Sequence, residues 1–300
     1  MDTHGTLSVI DSGAQRYAVQ SFLLRYPGKT RELYTIHLRQ WFEWCLSNGH
    51  DPWTIKRGHI EAWSTHLMED RGLKVASVAT KLNAVCGLYK FAFIDGLLPV
   101  NPAAYVRRPR VQFVTSSNAL TRGEASDILK AAEAESPTTY ALMCLLLLSG
   151  LRIGETIGAN VDHLGYERGY RTLFLPHRKG GKVGKLSLPV RSTWAIERML
   201  GSRTTGPLLL GHDGERISAG SIRRTLARLC KQIGVTRRIT PHSCRHTFVT
   251  LARNAGVSDR DLMASTGHST SIMLSYYDHD AGAVERNAGH QVAALIGTAA

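Results

Sequence analysis

The chain has 300 residues, 43% hydrophobic and 20% charged, which fits a folded globular protein of about two domains and excludes disordered or collagen-like classes. It carries 37 Lys and Arg against 24 Asp and Glu, a formal net charge of +13, and so calls for an anionic partner, nucleic acid or an acidic membrane surface. The chain opens without a secretory signal, its longest apolar run (140–148) is too short to span a bilayer, and five scattered cysteines without a Cys-x-x-Cys pair make neither a disulfide framework nor a zinc knuckle.

The expected setting is therefore the cytoplasm. With no long basic surface helix or lipidation motif, nucleic acid leads over membrane as the partner. The first half reads as helical. Apolar residues at 33, 36, 38, 41, 42, 45 and 46 share one helical face, and Gly49 and Pro52 end it. Ile60, Trp63, Leu67 and Met68 mark a second helix, and residues 75–94 a third, closed by Asp95-Gly96 and Pro99. The segment 103–118 has no periodic apolar face and carries Arg107, Arg108 and Arg110, which reads as an interdomain linker. Its arginines either track a phosphate backbone or are incidental charge on a solvated linker.

The second half opens on a capping box, Thr121 to Glu124. Residues 140–148 are apolar on every side and predict a buried helix. Two short strands, 171–175 and 185–189, flank the Gly-rich turn Lys179-Gly180-Gly181-Lys182. Helices are predicted over 194–200, 221–233, 242–254, 258–266, 272–277 and 284–296. Fourteen basic and 9 acidic residues precede Ala119 and 23 and 15 follow, so the halves carry +5 and +8 and the charge is not a single basic tail.

Four local patterns can carry chemistry. Pro241 starts a helix on which His242 and Arg245 share a face, either a phosphate site at a helix N-terminus or a surface ion pair. Gly150-Leu151-Arg152 follows the buried helix, and Arg152 either pairs with Glu155 as a structural salt bridge or grips a phosphate. Lys179 sits on a hairpin turn, as a proton donor reaching into a cleft or as a solvated tip; the turn is not a P-loop, since Leu186 follows Lys185. Gly267-His268-Ser269 precedes Tyr277 by nine positions from the histidine. A phenol is a poor nucleophile alone, but two arginines beside a phosphate stabilise both the phenolate and the charge developing at phosphorus. No carboxylate cluster suits two-metal catalysis and no Gly-x-Ser-x-Gly elbow is present.

Taken together and in this order, these residues closely resemble the tyrosine recombinases, the phage-integrase and Xer-type family. The family's Gly-Leu-Arg-x-x-Glu box stands as Gly150 to Glu155, its hairpin lysine as Lys179, its Pro-His-x-x-Arg-His-Thr-Phe box as Pro241 to Phe248, and its Gly-His-Ser box as Gly267 to Ser269. Cys244 and Thr266 each stand where the family usually has Leu. The resemblance implies a mainly α fold with a small β-sheet in the C-terminal domain. It divides the chain into a helical, SAM-like core-DNA-binding domain over 1–104, a basic linker over 105–118 and a catalytic domain over 119–300 with a C-terminal helix.

It further implies a catalytic set of Arg152, Lys179, His242, Arg245, His268 and Tyr277, with Glu155 in support. Tyr277 would form a 3′-phosphotyrosyl link, the two arginines and two histidines would hold the phosphate, and Lys179 would protonate the leaving 5′-oxygen. No metal, ATP or other cofactor is expected. The partner is double-stranded DNA with inverted-repeat core sites, recombined through a Holliday junction by four protomers. Arg39, Lys56, Lys81 and Lys90, with Arg107, Arg108 and Arg110, are the expected DNA contacts outside the catalytic domain. The rival readings are a type IB topoisomerase-like enzyme with the same chemistry, a DNA-binding protein without catalysis, and a hydrolytic nuclease.

Overall fold

The computed structural model describes residues 13–110, 118–178, 181 and 183–267. The predicted segments 272–277 and 284–296 lie outside them, as do Lys179, His268 and Tyr277. The chain divides into two compact units, residues 1–113 and 114–300. The fold is mostly helical with one small three-stranded sheet. Among the described residues no helix is long and apolar enough to cross a membrane.

The first unit is built on four helices: α1 (Gly13–Leu24), α2 (Gly28–Ser47), α3 (Arg57–Glu69) and α4 (Val75–Ile94). The third predicted helix has the bounds of α4, while the first two run longer at both ends than their apolar spacing indicated. Helix α1 was not foreseen, because only Ala18, Val19 and Phe22 are buried while Tyr17 and Leu24 face out. Its fit depends on Gly87 of α4: a Cβ there would lie 2.7 Å from the Phe22 ring. The aromatic core is also polar-satisfied. Trp41 Nε1 donates to Tyr89 Oη, and Tyr89 donates to the Pro52 carbonyl, each at 2.7 Å. Residues 103–110 of the arginine-bearing segment belong to this unit, with Ala103 buried and Val106 against the core.

The second unit surrounds α6 (Pro137–Leu147), in which every residue from Thr139 to Leu147 is buried. Helices α5 (Arg122–Glu135), α8 (Val190–Leu200) and α10 (Pro241–Asn254) pack against it. This is why its sequence shows no polar face. The sheet runs β1 (Leu164–Glu167), β2 (Tyr170–Leu175), β3 (Gly184–Ser187), all antiparallel, with Leu173 opposite Leu164 and Leu186. Two corrections follow. Strand β1 was missed, since it buries none of its four residues; and β3 stops at Ser187, because Pro189 already caps α8. The remaining helices are the short α7 (Ile153–Gly158), α9 (Ala219–Gln232) and α11 (Asp259–Thr266).

The capping box at α5 forms as the sequence predicts. Glu124 N–H donates to Thr121 Oγ1 at 3.2 Å, and Thr121 N–H donates to Glu124 Oε2 at 2.7 Å. Arg237 then clamps the same carboxylate with both terminal nitrogens, at 2.6 and 2.5 Å. These Arg237 bonds hold the Glu124 carboxyl at about 2, against an ordinary 4.5, with burial acting in the opposite direction. A carboxyl depressed in the folded state contributes stability that is complete above its unfolded value and is lost as pH falls through the folded one. Unfolding free energy is therefore expected to drop between pH 4.5 and about 2. Glu124→Gln should be less stable at neutral pH and show a shallower acid decline, measured by urea unfolding at stepped pH.

Candidate active site

The site assembles around the carboxyl end of α11. A helix leaves its last carbonyls without partners and carries partial negative charge there, so it attracts cations. Three guanidiniums meet that end. Arg245 donates to the Thr266 carbonyl at 2.5 Å, Arg152 donates to the same oxygen at 3.3 Å, and Arg178 donates to the Ser265 carbonyl at 3.1 Å.

Arg245 lies one turn into α10. Thr240 caps that helix, its hydroxyl accepting from Ser243 N–H at 3.2 Å, and Pro241 occupies the first turn. The arginine is 1% exposed, and its other terminal nitrogen donates to the Gly150 carbonyl at 2.7 Å. Burial at this depth overturns the surface ion pair as a reading of His242 and Arg245: the guanidinium is held by carbonyl oxygens inside the unit and keeps its charge. His242, by contrast, is exposed on the first turn of α10. Its ring meets His246 edge-on, with centroids 4.6 Å apart. Burial, then the neighbouring His242 and Arg245, push the His246 imidazole down to about 4, so it is neutral at pH 7.

Gly150 makes the turn that brings its carbonyl to Arg245. Its φ of +59° suits glycine, and a Cβ would lie 2.4 Å from the Phe248 ring. Two residues on, Arg152 caps α7. Glu155 accepts from the Arg152 backbone N–H at 2.9 Å, from its guanidinium at 2.8 Å, and from Arg178 Nε at 3.2 Å. The two sequence readings of Arg152 were alternatives, but the structure shows that pairing with Glu155 holds the guanidinium beside Arg245 at the α11 end. Burial raises the Glu155 carboxyl, and the Arg152 N–H and the two guanidiniums outweigh it, so the net displacement is below the ordinary carboxylate value. Among the described residues, three guanidiniums meet one carboxylate in this cluster, an excess of positive charge that suits an anion.

Both departures from the family pattern are accommodated. Thr266 is fully buried and its hydroxyl donates to the Leu262 carbonyl of its own helix at 2.5 Å. Cys244 is fully buried, and its thiol is pushed up to about 12 by burial. Arg178 is the residue that sequence reasoning missed. Its place beside Lys179 was the only signal, and its partners lie 23 and 87 residues away.

In the first unit the expected DNA contacts line more than one cavity. Lys56 is exposed and lines a cavity with Trp53, Phe93 and Tyr105, whereas Lys81 lines a different one with Trp44, His66 and Arg71. Lys81 bonds to Gln40 Oε1, and burial followed by Arg71 lowers its pKa. Arg39 is half-buried, with Nε lacking a hydrogen-bond partner, and Lys90 is exposed near Phe91. Arg107, Arg108 and Arg110 do gather, around a cavity of about 770 Å³ shared with Arg57 and Glu61. Arg107 N–H donates to Glu61 at 3.0 Å, and Arg108 donates to Asn83 at 2.6 Å.

Residues 118–283 match the phage integrase family. The chain belongs to that family. It is 26% identical to the tyrosine recombinase XerC of Thermodesulfovibrio yellowstonii over 221 residues, 70% of this chain and 73% of the relative. It is also 26% identical to the tyrosine recombinase XerD of Chlorobaculum tepidum over 271 residues, 85% and 86% of the two chains. The Tn1549 transposon integrase in complex with circular intermediate DNA has a similar fold, with a TM-score of 0.69 and 21% identity over 88% of this chain and 95% of that one. A lambda integrase dimer bound to a COC′ core site gives 0.69 and 21%, over 90% of this chain and 77% of that one. At these identities the two structures speak to the fold.

Among the described residues, Glu155 is the carboxylate that pairs with both Arg152 and Arg178. Glu155→Gln is expected to destabilise the second unit by roughly 3 kcal/mol, the size typical of breaking a buried pair. Urea unfolding measures it; a change within about 0.5 kcal/mol would contradict this account of the cluster.

Proposed function

We propose that this family member is a site-specific DNA recombinase that exchanges strands through a covalent tyrosine intermediate. One observation carries the reading: Arg152 and Arg245 donate to the same Thr266 carbonyl oxygen, one residue before Gly267-His268. Two guanidiniums directed at one point, beside an exposed His242 on a helix N-terminus, suit a single phosphodiester. The DNA-bound relatives of like fold support the same partner.

In the proposed reaction Tyr277 Oη attacks phosphorus and the P–O5′ bond breaks, leaving a 3′-phosphotyrosyl link. The phenol proton passes to His242, and Lys179 gives a proton to the departing 5′-oxygen. Arg152, Arg245 and His268 stabilise the charge on the non-bridging oxygens. A partner strand's 5′-hydroxyl reverses the step, so the energy of the phosphodiester is kept in the covalent link and no ATP or metal is called for. Exchange of two strand pairs through a Holliday junction then requires four protomers on inverted-repeat core sites. The basic residues of the first unit and of the 105–118 segment supply backbone affinity that falls with salt.

The test begins with duplexes selected for binding from a random library, remade with a nick beside the cleavage position so that religation fails. The wild-type chain is expected to accumulate a covalent DNA adduct, and Tyr277→Phe to form none. An adduct in Tyr277→Phe would overturn the assigned nucleophile. Relaxation of supercoils without exchange between two sites would favour the topoisomerase-like reading instead.

A further inference from the structure

Arg178 is more constrained than a residue on a hairpin turn needs to be. Solvated turn tips carry mobile, exposed cations, whereas the Arg178 side chain is only 8% exposed. Its stem crosses Gly184, the first residue of β3, where a Cβ would lie 2.6 Å from Arg178 Cδ. Its guanidinium lies on Gly267, where a Cβ would lie 2.6 Å from Cζ. Two glycines thus leave room for one arginine. Gly267 also takes the left-handed conformation that ends α11, with φ of +67°.

At the far end of this channel the guanidinium has two fixed acceptors, Glu155 Oε1 at 3.2 Å and the Ser265 carbonyl at 3.1 Å. The Arg178 carbonyl accepts from Gly181 N–H at 3.1 Å, which closes the turn. One side chain therefore ties the β2–β3 turn to the carboxylate that holds Arg152 and to the helix end that Arg152 and Arg245 share. Burying a cation is costly unless a counter-charge and fixed acceptors meet it, and here Glu155 and the Ser265 carbonyl do so.

We infer that Arg178 is a positioning residue: it anchors the chain immediately before Lys179 to the two-arginine site, and its loss slows the proton transfer that Lys179 is proposed to serve. The inference rests on the recombinase reading and on Lys179 as the proton donor. The step it serves moves one proton from the Lys179 ammonium to the 5′-oxygen as the P–O5′ bond breaks and the Tyr277–phosphorus bond forms. The donors of Arg178 stay on Glu155 and Ser265 throughout.

The experiment compares single-turnover adduct formation by the full chain on two nicked duplexes, one with an ordinary scissile phosphodiester and one with sulfur in place of the 5′-bridging oxygen. A thiolate leaves without needing a proton. Arg178→Met keeps the stem and removes the donors. It is expected to slow cleavage of the ordinary substrate by about 10- to 100-fold, within the usual contribution of a general acid, and to come within about threefold of wild type on the sulfur substrate. Arg178→Lys should fall between the two on the ordinary substrate.

Equal slowing on both substrates would overturn the inference, since it would mean that the substitution disturbs Arg152 through Glu155 rather than the proton donor. So would a wild-type rate on the ordinary substrate. Lys179→Ala runs in parallel. If sulfur restores Lys179→Ala but not Arg178→Met, the inference about Arg178 fails alone. If sulfur restores neither, the role of Lys179 fails and the inference goes with it. Should Arg178→Met lose its cooperative melt, Arg178→Lys and Arg178→Gln are read in the same way.

Discussion

The rest of the site depends on one oxygen. The Thr266 carbonyl ends α11 and receives both Arg152 and Arg245, which come from α7 and α10. Terminal carbonyls of a helix must find donors, and a buried arginine must find acceptors. Each need meets the other here. Glu155 completes the arrangement by holding Arg152 through both its backbone N–H and its guanidinium. The result is a fixed excess of positive charge held by backbone carbonyls and one buried carboxylate, the kind of preorganisation that favours charge developing in a transition state.

Around that oxygen, glycines act as spacers. Gly150 turns the chain so that its carbonyl reaches Arg245 while its α-carbon passes under Phe248. Gly267 ends α11 and leaves space for Arg178. The two boxes that look like catalytic signatures are thus partly architectural. Their glycines place carbonyls and admit arginines, and the residues next to them inherit that placement.

Much of this was legible in the sequence. Helix α4 follows from its apolar spacing, α6 from an unbroken apolar run, the α5 start from its capping box and the α10 start from Pro241, because each signal is local. Strand β1 was not legible, since it buries none of its residues and leaves no alternation to read. Helix α7 is absent from the sequence expectations because its six residues are too few to show a period. At the site, Arg152 and Arg245 could be named from their boxes, but whether they meet could not, as they lie on different elements and share the Thr266 carbonyl. Arg178 was hidden for the same reason: its partners come from α7 and the end of α11. The cations of the first unit are grouped in the sequence by charge alone, and in the structure Lys56 and Lys81 line different cavities.

The central claim is that the Arg152 guanidinium, held by Glu155 beside Arg245, acts on the charge of one phosphate. It is tested most directly by removing that charge from the DNA. A duplex whose scissile phosphate is replaced by a neutral methylphosphonate is given to the wild-type chain and to Arg152→Ala, and covalent adduct is measured. The account predicts that Arg152→Ala, severely impaired on the phosphodiester, forms adduct on the methylphosphonate at close to the wild-type rate. An equally severe defect on both substrates would contradict it.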